Sequence, residues 1–317
     1  MKHAKACRYV KRAFIAAVVL GLLGIAAACG GAMPQGSSQG AEPQAGAAGE
    51  QPADAQPVFA ISGIPDQDVS ILSRRFGLVA EYLEQATGLN VQYVPAADYA
   101  AVVTGFERGD IHLAWFGGLT AVQAIAAVPG SEAVAQRPRD AEFHSVFIVQ
   151  ADLPVDELPD LKGLTFTFGS ESSTSGHLMP RYFLLQAGID PERDFATVEY
   201  SGSHDTTIKL VEAGTYQSGA LNEAVWEDRL EAGQVDTEKV RAFYRTPAYY
   251  DYNWTIRAGV DEVFGPGTKE RVVEALLAIG PEQKELLELF QTDRFMPTRN
   301  ENYEAIRTVA EQLGIIR

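Results

Sequence analysis

The sequence predicts an α/β protein of two lobes built around mostly parallel sheets, and three observations carry that expectation. Strand-like and helix-like runs alternate from Val58 to the C-terminus. An acidic connector containing proline, Ala151 to Asp160, interrupts the alternation, and a second series starts after it. The roughly 260 residues from Val58 onward can supply one large core or two smaller ones.

Val58 to Ile61 opens the first series as a strand. Leu72, Phe76, Val79 and Leu83 recur at helical spacing, and Gly88 stops that helix. Val91 to Val94 reads as a strand, Asp98 to Arg108 as a helix, Ile111 to Trp115 as a strand and Leu119 to Val128 as a helix. Phe143 to Val149 is a further strand before the connector. The second series runs strand Leu164 to Phe168, helix Gly176 to Gln186, strand Ala196 to Tyr200, helix Asp205 to Glu212, strand Ser218 to Leu221, helix Glu223 to Leu230 and strand Lys239 to Tyr244. Strand Asn253 to Ile256 follows, with helical patterns at Lys269 to Leu277, Pro281 to Leu289 and Asn302 to Leu313. In sheets of this kind ligands bind at strand C-terminal ends and between lobes.

The residues ahead of Val58 follow a different logic. Lys2, Lys5, Arg8, Lys11 and Arg12 form a positive region, and Ala13 to Ala28 is an unbroken run of 16 apolar or glycine residues ending at Cys29. That run is short for a spanning helix, which needs roughly 20 residues, and suits an export signal. Ala26-Ala27-Ala28-Cys29 resembles a bacterial lipoprotein processing box, with Ala26 where leucine is usual, so residues 1–28 are expected to be removed and Cys29 lipidated. The alternative is secretory cleavage after an A-x-A pattern, with Cys29 incidental. Gly30 to Pro57 holds 7 Ala, 6 Gly, 5 Gln and 4 Pro with no aromatic or branched aliphatic residue, so nothing there offsets the entropy of ordering. Residues 29–57 are expected to act as a lipid-anchored tether spanning roughly 30 Å.

Charge and cysteine content remove several function classes. The chain carries 26 Lys+Arg against 42 Asp+Glu, a net charge of −16, and losing residues 1–28 takes away five positive charges and leaves −21. Phosphate-backbone binding needs a basic footprint, so no nucleic-acid partner is expected. Arg74-Arg75 and Arg137-Pro-Arg139 are short runs that a solvated helix face or loop would explain. With Cys7 in the leader and Cys29 at the anchor, no cysteine is left for a disulfide, a thiolate nucleophile or a metal site. The sequence has no H-E-x-x-H, G-x-S-x-G or Walker A pattern, and the expectation is a non-enzymatic protein without metal or cofactor.

The most informative segment is Phe168-Gly-Ser-Glu-Ser-Ser-Thr-Ser-Gly-His-Leu-Met-Pro180, where a strand leads into a turn with five hydroxyls between Ser170 and His177 and then into a helix. A helix start offers unpaired N–H groups, which flanking hydroxyls can join around an anion. Such a site holds an oxyanion without Lys or Arg and can release it. The bland alternative is a plain N-cap made by Ser173 or Ser175.

Ser172-Ser-Thr-Ser-Gly-His-Leu-Met-Pro-Arg181, Gly202-Ser-His-Asp-Thr-Thr-Ile208 and Tyr249-Tyr-Asp-Tyr-Asn-Trp254 together resemble the substrate-binding proteins of phosphonate, phosphite and related oxyanion ABC importers. The resemblance runs from Ile61-Ser-Gly-Ile-Pro65 to Asn302-Tyr-Glu, and two of its stretches look most like a subgroup commonly labelled selenate-binding. It implies a type II periplasmic-binding-protein fold: two α/β lobes, two crossover strands, and an interlobe cleft that closes over ligand. Residues 58–144 with 249–317 would form lobe one and 145–248 lobe two, with crossings near Phe143 to Phe147 and Thr246 to Tyr250. It also implies oxyanion contacts from Ser173, Thr174, Ser175 and Gly176, a further donor in His204, and aromatic or acidic contacts from Tyr99, Trp115, Glu223, Asp251 and Tyr252. The implied partners are a small oxyanion, an ABC permease with its ATPase, and a membrane reached through the N-terminal lipid. A monomer is expected.

Residue chemistry leaves some roles open. His204, just before Asp205, could equally cap a helix or face solvent, and His177 could brace its turn instead of meeting a ligand. Alternating aromatics in a strand account for Tyr250, Tyr252 and Trp254 by packing alone. Asp251 among them needs a partner, and a ligand hydrogen or ammonium is a candidate. If Glu223 and Asp251 both face the cleft, a fully deprotonated ligand such as selenate or sulfate meets like charge, whereas hydrogen phosphite or an amine-bearing phosphonate supplies a donor. A surface scaffold or adhesin on the same fold is the alternative of another class.

Overall fold

A computed structural model describes residues 56–316, so the leader, Cys29 and all but the last two residues of the expected tether lie outside it. The first stretch contains β1 (Val58–Gly63), α1 (Val69–Thr87), β2 (Asn90–Tyr93), α2 (Tyr99–Arg108), β3 (Leu113–Phe116), α3 (Gly118–Ala127) and β4 (Glu132–Gln136). The second contains β5 (Ser145–Gln150), β6 (Thr165–Phe168), α4 (Met179–Gln186), α5 (Pro191–Asp194), β7 (Thr197–Tyr200), α6 (His204–Glu212), β8 (Ser218–Asn222), α7 (Glu223–Glu231) and β9 (Val240–Arg245). The chain ends through β10 (Asn253–Ile256), α8 (Val260–Phe264), α9 (Thr268–Ala278), α10 (Lys284–Phe290), β11 (Met296–Pro297) and α11 (Glu304–Gln312).

The strands form two sheets, ordered β11-β4-β10-β3-β1-β2 and β7-β6-β8-β5-β9. The pairings are mixed, not mostly parallel. β1 pairs in parallel with β2 and β3, and β6 with β7 and β8, as βα units require. The first strand after each crossing enters its new sheet antiparallel: β5 slots between β8 and β9, and β10 between β3 and β4. The crossings run side by side, with Phe143 and Tyr249 exchanging both backbone hydrogen bonds at 2.8 and 2.9 Å. Each sheet with its helices makes one lobe, and two neighbouring crossings between them make a hinge.

Local signals explain most boundaries. Asp98 caps α2 by accepting the Ala101 N–H at 2.8 Å, and Gly88 ends α1 in the left-handed region at φ 72°. β4, Glu-Ala-Val-Ala-Gln, escaped the sequence reading because its alanines carry little strand signal. The helix expected from Gly176 begins instead as a π turn at Thr174–Leu178 that passes into α4. The last residue of β1 is glycine for a packing reason: a Cβ at Gly63 would stand 2.1 Å from Cζ of the buried Phe76.

One arginine of each short basic run departs from expectation, while Arg74 is solvated as expected. Arg75 and Arg137 are buried, not solvated. Arg137 holds Asp140 through two N–H donors at 2.7 and 2.8 Å and lies over the Trp115 and Tyr252 rings, 5.2 Å from each centroid. Arg75 donates to the Leu289 carbonyl at 3.0 Å and lies over Phe290. Two guanidiniums therefore sit beneath the surface that faces lobe two.

Candidate ligand-binding site

The lobes meet where four chain segments end. The loop after β1 supplies Asp66, the turn between β3 and α3 supplies Gly117 to Leu119, the π turn supplies Thr174 and Ser175, and the hinge before β10 supplies Asp251 and Tyr252. These lie at strand or helix termini because only there are backbone N–H groups free to face a neighbour. At the start of α3 the Gly118 N–H donates to Asp251 Oδ1 at 2.8 Å, and the Leu119 N–H donates across the cleft to Thr174 Oγ1 at 2.9 Å. Gly117 is tightly placed between them, since a Cβ there would lie 3.1 Å from both Asp251 Oδ1 and Thr174 Oγ1.

Tyr252 is the hub of the cluster. Its hydroxyl donates to Asp66 Oδ2 at 2.7 Å, accepts from Asn222 Nδ2 at 3.2 Å, and stands 3.4 Å from His204 Nε2. Three buried oxygens around it make no well-aligned hydrogen bond among the described residues: Asp66 Oδ1, Asp251 Oδ2 and the Tyr99 hydroxyl, with the Ser173 hydroxyl beside Tyr99 and those of Thr174 and Ser175 beside the Asp251 carboxyl. The charges of Asp66 and Asp251 both reach Tyr99, so the three groups share one buried region. Buried polar atoms left unpaired cost free energy, so their convergence marks a place built to receive a hydrogen-bonding guest.

Burial sets the electrostatics. Loss of water pushes the Asp251 carboxyl up to about 7, with the Gly118 N–H and the hydroxyls of Thr174 and Ser175 only partly opposing it. Burial lowers His204, which is therefore neutral near pH 7. It raises Tyr99 and Tyr252 well above the ordinary phenol value, so both stay protonated donors. The Asp66 carboxylate attracts the buried Arg75 and Arg137, giving the floor of the site a nearby positive counterweight.

The expected site residues divide into groups. Thr174, Tyr99, Asp251, Tyr252 and His204 converge on this cluster. Ser175 is buried beside them, and its carbonyl accepts from Ser145 Oγ at 2.7 Å. Ser173 acts as a cap, its hydroxyl accepting the Gly176 N–H at 2.9 Å, and Gly176 gives its carbonyl to the Gly169 N–H at 2.8 Å. Of the two residues named for the N-cap alternative, Ser173 makes the cap and Ser175 does not.

Trp115 lies behind the site. Its ring stacks on Tyr252 with centroids 5.7 Å apart and otherwise packs against Trp254, Phe290 and Phe295. Glu223 is turned elsewhere. It forks with Arg245, one contact at 2.9 Å, and lines an outer groove with Trp226 and Glu227, because Asn222 takes the N-cap position and the next residue swings outward. His177 braces its turn: its Nδ1–H donates to the Glu171 carbonyl at 2.7 Å and its Nε2 accepts from Arg181 at 2.8 Å.

Asp66, Asn222 and the α3 start were not anticipated. Asp66 lies one residue past the Ile61-Ser-Gly-Ile-Pro65 stretch and just beyond the C-terminal end of β1, where ligands gather in such sheets. Gly117-Gly118 directly after an apolar strand was a second readable cue. Among the described residues there is no group of three or more potential metal ligands.

On this geometry we expect Thr174→Ala to weaken oxyanion binding by about 1.5 to 3 kcal/mol, the range for a hydrogen bond to a charged group. It also removes the acceptor of the Leu119 N–H, so the closed unliganded arrangement should lose about 1 to 3 kcal/mol. Calorimetry showing less than a threefold loss with every oxyanion tested would reduce the turn to a cap.

Comparison with known proteins places this geometry in context. A family model described as "ABC transporter, phosphonate, periplasmic substrate-binding protein" matches residues 61–303. The chain is 39% identical over 270 residues to "Probable ABC transporter phosphite binding protein PhnD1" of Prochlorococcus marinus strain MIT 9301, covering 82% of this chain and 91% of that protein. A structure of PhnD1 from that organism in complex with methylphosphonate aligns with TM-score 0.79 over 82% of this chain and 99% of that one. A binding protein component of a Pseudomonas aeruginosa ABC phosphonate transporter, 22% identical, shares the fold with TM-score 0.72 over 80% and 86% of the two chains. The resemblance to a selenate-labelled subgroup finds no support in these matches, whose names carry phosphonate or phosphite.

Proposed function

This chain belongs to the periplasmic substrate-binding proteins of phosphonate ABC transporters, and from that premise we propose that it captures a small, proton-bearing oxyanion of the phosphonate or phosphite type. It is the substrate-binding component of an importer on the periplasmic side, in a family of binding proteins and not of enzymes. The observation that carries the choice of ligand is the pair of unpartnered carboxylate oxygens, Asp66 Oδ1 and Asp251 Oδ2, beside the Tyr99 hydroxyl.

Those oxygens accept hydrogens, and a guest without any leaves both unsatisfied. Hydrogen phosphite or a monoprotonated phosphonate brings a P–OH hydrogen and keeps oxygens for donors. Thr174, Ser175 and Tyr99 are assigned as the donors to those oxygens. Asp251, with its pKa near 7, shares one proton with the ligand: as carboxylate it accepts from P–OH, and as acid it donates to P–O⁻. His204 and Tyr252 hold Asp66 and the hinge in register, while Ser173 and Gly176 fix the turn. With Glu223 paired to Arg245, an amine-bearing ligand has lost one of its expected carboxylates, which favours a small uncharged substituent.

Capture proceeds by closing the cleft between lobe one, residues 58–144 with 249–317, and lobe two, residues 145–248, about the paired crossings. A permease with its ATPase then receives the ligand by favouring the open form. A thermal-shift panel followed by calorimetry tests the ligand class. Phosphite or methylphosphonate should raise Tm and bind stoichiometrically, with sulfate and selenate at least tenfold weaker. Sulfate or selenate binding as tightly as phosphite overturns the assignment.

Cys29 is proposed as the sole membrane attachment, since no helix among the described residues is long and apolar enough to cross a membrane. The chain expressed from Gly30 onward should be a soluble monomer with unchanged ligand affinity. Its retention on membranes would defeat the assignment.

A further inference from the structure

A second set of contacts joins the lobes beside the ligand cluster and shares with it only the backbone of Asp66 and His204. Arg229 on α7 holds Asp205 on α6 in a fork, Nε to Oδ1 at 2.7 Å and Nη2 to Oδ2 at 2.9 Å. Both side chains are largely buried, and both belong to lobe two. Asp205 Oδ2 also accepts the Asp68 N–H of lobe one at 3.0 Å, and the neighbouring His204 N–H donates to the Asp66 carbonyl at 3.1 Å. The loop 64–68 of lobe one is thus gripped by the start of α6. The Asp68 carboxylate, which caps α1, also feels the positive charges of Lys209 and Arg229 across the gap, behind the larger effect of its bonds to Ser70.

Another contact reaches α7. Gln291, at the end of α10 in lobe one, donates through Nε2 to Asp228 and accepts from Arg139 at 3.2 Å. Gln291 is the one non-glycine residue among those described with positive φ, 53°. That left-handed conformation is uncommon for a residue other than Gly, Asn or Asp, and here it aims the side chain at lobe two. Lobe one therefore reaches α6 and α7 through two separate segments.

We propose that the Arg229–Asp205 fork on the loop 64–68 and the Gln291–Asp228 contact together form a clasp that stabilises the closed arrangement of the lobes and thereby sets ligand affinity without touching ligand. Arg229 is a positioning residue in this scheme. Its planar fork fixes the Asp205 carboxylate so that one lone pair of Oδ2 meets the lobe-one amide, which a mobile carboxylate would do only part of the time. Whatever favours the closed form raises apparent affinity by the shift in its population. The affinity part of the proposal rests on the capture-by-closure reading above; the clasp itself does not.

The test is hydrogen exchange on the full chain, with Arg229→Ala and Gln291→Gly compared with the unaltered protein. Gln291→Gly suits the left-handed backbone and removes only the side-chain contact, so it guards against a folding defect in the first variant. The decisive signal is the Leu119 amide, which is bonded across the cleft to Thr174 and not to the clasp. Both variants should speed exchange at Asp68, His204 and Leu119 without ligand, and Arg229→Ala should weaken phosphite and methylphosphonate binding by roughly tenfold through faster release. Faster exchange at Leu119 in both variants, with neither oxyanion bound even by the unaltered protein, would support the clasp and reject the ligand class. Exchange altered only at 203–206, or unchanged at Leu119 in both variants, would make the ion pair a local brace and overturn the proposal.

Discussion

Asp251→Asn is expected to raise stability at pH 8 while weakening phosphite and methylphosphonate binding by about 1.5 to 3 kcal/mol, the range for a hydrogen bond to a charged group. The stability effect follows from linkage. The folded-state pKa is about 7 against an ordinary 3.8, so between those values the folded chain keeps a proton that the unfolded chain has released. Stability therefore falls as pH rises through that window and levels off above it, by an amount on the order of 4 kcal/mol at 1.36 kcal/mol per unit. Asparagine carries no charge to desolvate, and its carbonyl oxygen can still accept the Gly118 N–H. The variant should match the unaltered protein near pH 4, exceed it in Tm by several degrees at pH 8, and lose the slope between. An unchanged pH profile would mean that Asp251 is ionised throughout.

The ligand effect separates the oxyanions. Sulfate and selenate bring no hydrogen for Asp251 Oδ2, so the amide should leave their weak binding unchanged or improve it. Above pH 8 the unaltered protein should lose affinity for methylphosphonate, because ligand and Asp251 then have no proton left to share and two like charges meet in a water-poor site. Tight selenate binding by the unaltered protein, weakened by Asp251→Asn, would contradict the role given to this carboxylate.

Gly117→Ala should weaken oxyanion binding at least tenfold, about 1.4 kcal/mol or more, while leaving the unliganded fold intact. Its φ of −78° suits alanine, so no backbone strain accompanies the change. The difficulty is the space across the cleft, where the new Cβ would press on Thr174 Oγ1 and Asp251 Oδ1 at 3.1 Å. Thr174 belongs to the other lobe, and partial opening relieves the contact most cheaply. Opening also breaks the Leu119–Thr174 bond, so the loss should appear mainly as faster release. Combining Gly117→Ala with Thr174→Ala should cost less than the sum of the single changes, because the second removes the oxygen the first collides with. Strict additivity would place the damage elsewhere.

Residues near one another in sequence were the most legible. The Asp98 cap, the Gly88 stop, the apolar stripe of α1 and the hydroxyl-rich turn after β6 are local patterns, and each sets a boundary through hydrogen bonds or packing within a few residues. Composition alone pointed away from nucleic acid and disulfides, and the motifs at 172–181, 202–208 and 249–254 carried the family. The sequence could not say which acid faces the cleft, because Glu223 and Asn222 differ by one position and only the register of β8 against β5 decides which turns inward. Nor could it pair Asp66 with Tyr252, 186 residues apart, or bury Arg75 and Arg137 beneath them. Those are long-range facts, set where strands distant in the chain end side by side, and they decide how a strongly acidic protein can hold an anion.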